Sequence, residues 1–256
     1  MQSFLTRSGR ASLARLAPPS AALTRSSGKS YGKACAAVQP SRRAVLAGLF
    51  AGFLVLGTTI TAAGAADRPV RIVMLGDSIT AGLGLPAQDT LPAKLEKALK
   101  ASGHDVSIQN AGVSGDTTAG GLARLDWSVA DGTDAVILEL GANDALRGND
   151  PKLTRLSLEA IITRLAARRI AVLLTGMLAP RNLGADYASR FDPIYPALAA
   201  AHQVVFYPFI LDGVATNPAL NQGDGIHPNA AGVDAIVTRL LPKAEELVAR
   251  VTAGRS

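Results

Sequence analysis

The stretch VRIVMLGDSIT, residues 70–80, decides the fold. Val70–Leu75 is apolar except for Arg71 and stops at Gly76. A strand with one wet face would alternate polar and apolar residues. A near-continuous apolar run reads instead as a strand buried on both faces. The same signal returns at Val106–Gln109, Ala135–Leu140 (AVILEL), Ile170–Thr175 (IAVLLT) and Val204–Tyr207. Between these runs, Leu91–Ala101, Leu153–Ala167, Tyr187–Ala201 and Ala230–Val251 read as helices. Gly103 closes the first, and Pro193 and Pro196 break the regularity of the third. Apolar strands alternating with helices require a parallel sheet covered on both faces. The expected fold is a three-layer α/β/α sandwich with a five-stranded parallel sheet. Open sheets of this kind bind ligands at the carboxyl ends of their strands, so chemistry is sought in the segments just after them.

Charge divides the chain in two. Of 256 residues, 26 are Lys or Arg and 20 are Asp or Glu. Eight of the basic residues fall in 1–66, which hold no acid, so 67–256 carry 18 basic against 20 acidic groups. That net of −2 argues against nucleic acid as a partner. Residues 1–43 are rich in Arg, Ser and Ala, and 44–66 (AVLAGLFAGFLVLGTTITAAGAA) are uncharged and apolar. Ala63-Gly64-Ala65 reads as a cleavage site, so 1–66 is expected to be an export signal, removed to leave a domain of 67–256 in the periplasm. Ser41-Arg42-Arg43 leaves the twin-arginine and general secretory routes both open. A retained anchor over 44–66 is the alternative, since 23 uncharged residues can span a bilayer. An over-called start or a transit peptide would account for the long basic segment. Membrane contact is otherwise expected only through a lipid substrate. The single Cys35 excludes an intramolecular disulfide and a multi-thiolate zinc site. Oligomeric state is not readable.

Four segments next to strands or helices carry chemistry: GDSIT (76–80), NAGVSGDT (110–117), GAND (141–144) and DGIHPN (224–229). Each alone is ordinary turn and cap composition. Placed on one rim they supply complementary parts. Ser78 is a candidate nucleophile and needs a neighbouring base. His227 is the candidate base, because His104 and His202 both follow helical stretches. Asp224, three residues before His227, can accept its Nδ1–H and fix the tautomer. The Ser78 and Gly115 backbone N–H groups and the Asn143 amide are candidate donors to an oxyanion.

These four segments resemble the SGNH, or GDSL, hydrolases. GDSIT resembles the first family block, SGDT the second, GAND the third and DGIHPN the fifth, in the family's order over 70–250. GLARL (121–125) and LRG (146–148) add likeness to bacterial periplasmic arylesterases and multifunctional thioesterase/protease/lysophospholipases. The resemblance implies a flavodoxin-like α/β/α esterase without cofactors. Catalytic Ser78, Asp224 and His227 and an oxyanion hole of Ser78, Gly115 and Asn143 follow from it. Substrates would be aryl or short-chain esters, thioesters and lysophospholipids. A carbohydrate esterase or deacetylase of the same fold is the alternative. Ile79-Thr80 departs from the name-giving motif, and the loop Leu178–Phe191 differs from that of reference members, so acyl-length preference does not carry over.

Other residues are expected to be structural. Asp77, Asp116 and Asp144 read as caps or turn formers, Arg147 as structural and Trp127 as packing. Glu139, inside an apolar strand, needs a partner or an exposed edge. Gly82-Leu83-Gly84-Leu85-Pro86-Ala87 matches a dinucleotide fingerprint on paper. It begins too far beyond its strand, holds a proline, and lacks the acid that should end strand two.

Overall fold

The computed structural model describes residues 68–255. Five strands form one all-parallel sheet in the order β2-β1-β3-β4-β5. They are β1 (Val70–Gly76), β2 (Val106–Gly112), β3 (Ala135–Glu139), β4 (Ala171–Thr175) and β5 (Val205–Tyr207). Nine helices accompany them among the described residues: α1 (Ser78–Ala81), α2 (Leu91–Ala101), α3 (Thr118–Ala123), α4 (Leu125–Ser128), α5 (Ala142–Leu146), α6 (Pro151–Ala167), α7 (Gly184–Phe191), α8 (Ile194–His202) and α9 (Ala230–Ala253). α2 packs against α9, and α6 packs against α3, α7 and α8. Every residue of β3 is buried, as an apolar run in a central strand requires. Burying such a side chain contributes about 1.5–3 kcal/mol. Among the described residues no helix is long and apolar enough to cross a membrane. The leader readings on 1–66 lie outside the described residues.

Three expectations needed correction. β2 runs to Gly112 rather than Gln109, because it is an edge strand whose last residues are half-exposed and carry no apolar signal. The single helix expected over Tyr187–Ala201 is two, with α7 ending before Asp192 and α8 starting after Pro193. Pro193 has no N–H to donate back to the Ser189 carbonyl, so the hydrogen-bond ladder stops there although Asp192 keeps helical backbone angles. Pro196 sits in the first turn of α8, where its missing N–H has no intrahelical partner to lose. Trp127 is not core packing: it is 74% exposed, since the four-residue α4 buries only Leu125 and Ser128.

The strand order places the topological switch between β1 and β3. Chain connections leave in opposite directions there and open a crevice at the carboxyl ends. The segment after β1 carries Ser78, and the segment after β3 carries Asn143.

Candidate active site

Ser78 is the first residue of α1, directly past the end of β1. Asp77 caps that helix, its Oδ1 accepting the Ile79 N–H at 3.1 Å. α1 is closed after four residues by Gly82 at φ +76°. The glycines of the paper dinucleotide motif therefore end a helix rather than open one. Arg124 braces the base of the turn. Its guanidinium donates to the Gly76 and Ala111 carbonyls, each at 2.8 Å, and to Asp116 Oδ2 at 2.6 Å.

His227 reaches Ser78 from across the sheet. Its Nε2 lies 2.9 Å from Ser78 Oγ, and its Nδ1 lies 2.6 Å from Asp224 Oδ2. The turn holding them is built locally. Asp224 Oδ1 accepts the N–H groups of Ile226 and His227 at 2.9 and 3.0 Å. Gln222 N–H donates to the His227 carbonyl at 2.8 Å. Gln222 Nε2 donates to the Leu83 carbonyl at 2.7 Å, tying this turn to the chain leaving α1. Asn229 then caps α9, accepting the Gly232 N–H at 2.9 Å. Three donors on one carboxylate, the His227 N–H first, then the His227 ring and the Ile226 N–H, hold Asp224 well below the ordinary carboxylate range.

Gly115 follows β2 with φ +83°, a backbone conformation that favours glycine. Arg147 Nη2 donates to its carbonyl at 2.7 Å, which agrees with a structural reading of that arginine. Asn143 lies on α5, and its Nδ2 donates to Asp77 Oδ2 at 3.1 Å. Asp77 thus does more than cap: it orients the amide across the crevice, leaving the second amide hydrogen free of that bond. Asp116 pairs with Arg124, and Asp144 accepts the Thr118 N–H and hydroxyl at 2.8 and 2.7 Å, so both are structural. All five residues singled out in the sequence therefore sit on the carboxyl rim. Hydrogen bonds join Ser78, His227 and Asp224 to one another, and Asn143 to the residue before Ser78.

Sequence reasoning missed a buried acid pair. Asp77 and Glu139 are both completely shielded from solvent. Glu139 is not at an exposed edge. Its partners are the Thr80 hydroxyl at 2.8 Å and the Asp77 N–H at 3.3 Å. Burial raises Asp77 to about 6, against the pull of the Ile79 N–H, the Asn143 amide and His227. Burial, then the neighbouring Asp77 charge, pushes Glu139 well above the ordinary carboxylate range. The one available signal was an acid closing an otherwise apolar strand. Among the described residues no three His, Cys, Asp or Glu side chains gather as metal ligands.

An open parallel sheet with a serine, a histidine and an aspartate hydrogen-bonded in series at its switch point defines an α/β/α protein of the serine-hydrolase kind. The chain belongs to the GDSL-like lipase/acylhydrolase family, whose profile matches residues 74–235. It is 38% identical over 178 residues to Esterase TesA of Pseudomonas aeruginosa, covering 69% of this chain and 89% of that one. It is 40% identical over 176 residues to an arylesterase of Vibrio mimicus, covering 68% and 87%. Among solved structures, TesA superposes with a TM-score of 0.66 over 69% of this chain and 99% of that chain, at 38% identity. AlinE4, an esterase of the SGNH-hydrolase family, superposes with a TM-score of 0.60 at 44% identity, covering 70% and 96%.

Proposed function

We propose that the protein is a serine esterase acting on aryl or short-chain carboxylic esters, and on acyl thioesters and lysophospholipids, through an acyl-enzyme. The observation that carries this is the 2.9 Å approach of His227 Nε2 to Ser78 Oγ, with Asp224 at 2.6 Å behind the ring. In this reading Ser78 Oγ attacks the ester carbonyl carbon while His227 Nε2 takes its proton. Asp224 holds the Nδ1–H tautomer and stabilises the imidazolium. The tetrahedral oxyanion is met by the Ser78 and Gly115 N–H groups and the Asn143 amide. His227 returns the proton to the leaving alcohol or thiol. Water, deprotonated by His227, then releases the acid and regenerates Ser78.

The names of the relatives, esterase and arylesterase, support the substrate class. The chemistry uses only side chains and backbone amides of this chain. Residues 1–66 are read as the export leader and 67–256 as the hydrolase domain, which would work in the periplasm. The test is hydrolysis of an activated aryl ester. Ser78→Ala is expected to lower kcat by roughly 10⁴–10⁶-fold with the fold intact. A serine-directed organophosphate is expected to label the wild type once and the variant not at all. Full activity in a folded Ser78→Ala protein overturns the assignment.

A further inference from the structure

One buried acid has no place in that proton path. Glu139 ends β3 in register with Gly76, directly beside the turn that presents Ser78. Its Oε2 accepts from the Thr80 hydroxyl and the Asp77 N–H, which flank Ser78 on either side in sequence. Its Oε1 has no hydrogen-bond partner among the described residues. We propose that Glu139 is a positioning residue for ester hydrolysis, bracing the Asp77–Thr80 turn so that the Ser78 hydroxyl and backbone N–H keep their aim. The proposal rests on the esterase reading above, and Glu139 acts through the turn rather than on the substrate.

Three features support the role. First, the anchor is rigid. Glu139 projects from a central strand whose other residues are all apolar and buried, whereas α1 is only four residues long and cannot hold itself. Second, the space is built for it. A Cβ on Gly76 would strike the Thr80 hydroxyl and come within 2.6 Å of Glu139 Oε2, so the missing side chain is what lets the two meet. Third, packing alone does not explain an acid here. An apolar side chain would fill a dry site without leaving a bare oxygen. Only a side chain ending in an acceptor can receive the two donors of the turn.

Burial, then the neighbouring Asp77, favours the uncharged form of the acid. A carboxylate in this position would be dry, would face the Asp77 carboxyl, and would carry an oxygen with no donor. Glutamine should therefore replace it and leucine should not.

The experiment compares wild type, Glu139→Gln, Glu139→Leu and Ser78→Ala in hydrolysis of one aryl ester, with circular dichroism on each. The expected result is a kcat lower by about 10²-fold in Glu139→Leu with KM changed only a few-fold, and kcat restored to within a few-fold of wild type in Glu139→Gln. Wild-type kcat in Glu139→Leu overturns the proposal. So does a loss confined to KM, or a folded Glu139→Gln as slow as the leucine variant. If Ser78→Ala stays active, the esterase reading itself has failed; if it is inactive while Glu139→Leu runs at full speed, only the role of Glu139 has. Should Glu139→Leu not fold, the glutamine variant and an infrared difference spectrum against wild type at neutral pH decide. The carbonyl stretch of a protonated acid is expected, and a carboxylate band in its place overturns the proposal.

Discussion

β3 is bracketed by two acids, and they live under opposite conditions. Asp134, just before the strand, is saturated with donors. Arg68 reaches it through both terminal nitrogens, at 2.7 and 2.8 Å, Arg255 at 2.6 Å and the Arg71 N–H at 2.8 Å. These contacts outweigh burial and lower it to about 2. Glu139, five residues on at the other end, shares its pocket with a second acid and keeps one oxygen bare. The amino end of the sheet is where electrostatics close the fold. The carboxyl end is where they are left unresolved, beside the reacting groups. Perturbed carboxyls of the second kind mark functional sites, because holding groups in place for chemistry competes with satisfying each of them.

Substitutions at the two ends should therefore separate activity from stability. The largest effect after loss of the nucleophile is expected at Asn143. Asn143→Ala should lower kcat by about 10²–10³-fold through a lost oxyanion donor, with KM little changed and some stability lost because the buried Asp77 Oδ2 loses its donor. Gly76→Ala should harm both properties. Its Cβ would collide with Thr80 and crowd Glu139, costing about 1–3 kcal/mol in denaturant unfolding and a large share of kcat. An alanine variant with wild-type stability would mean that the pocket yields easily.

Asp134→Asn should do the reverse, lowering stability by about 1–2 kcal/mol at neutral pH without touching kcat. The sign follows from the lowered value. Its contribution is present above the ordinary 3.8 and is lost as pH falls toward about 2, so wild type and variant should converge there. The smallest signal is a slope. Asp77 is raised from 3.8 to about 6, so between those values the folded protein holds a proton that the unfolded chain has released. The Asp77 contribution to stability should decline as pH rises through that window and level off above it, the raised Glu139 adding a further decline, and Asp77→Asn should remove the Asp77 part of the slope. An unchanged slope would count against the buried state of Asp77.

Legibility from sequence follows the same division. The three inner strands, β1, β3 and β4, were readable because burial on both faces leaves a near-continuous apolar run, as in Ile72–Leu75 and Ala135–Leu138. The end of β2 was not, because Asn110, Ala111 and Gly112 lie on an edge strand, half-exposed or exposed, and look like loop residues. Tyr187–Ala201 looked continuous because α7 and α8 are both amphipathic and only Pro193 marks the break. Ser78, His227, Asp224, Gly115 and Asn143 could be singled out because each occupies a short polar segment at an element boundary. The Thr80–Glu139 contact could not, since it joins side chains 59 residues apart and neither segment announces the other. The second duty of Asp77 was hidden for the same reason: its cap is local, while its bond to Asn143 spans 66 residues.

The clasp around Asp134 has a practical corollary. Arg255 also donates to the Arg68 carbonyl at 3.1 Å, so the chain enters and leaves this domain side by side, at the end of the sheet farthest from Ser78. Cargo or a solid support attached directly at residue 68 or 255 would leave the reactive lip unobstructed. A short linker joining 68 to 255 should permit new termini to be cut elsewhere, in an exposed surface turn away from the rim, with catalysis preserved.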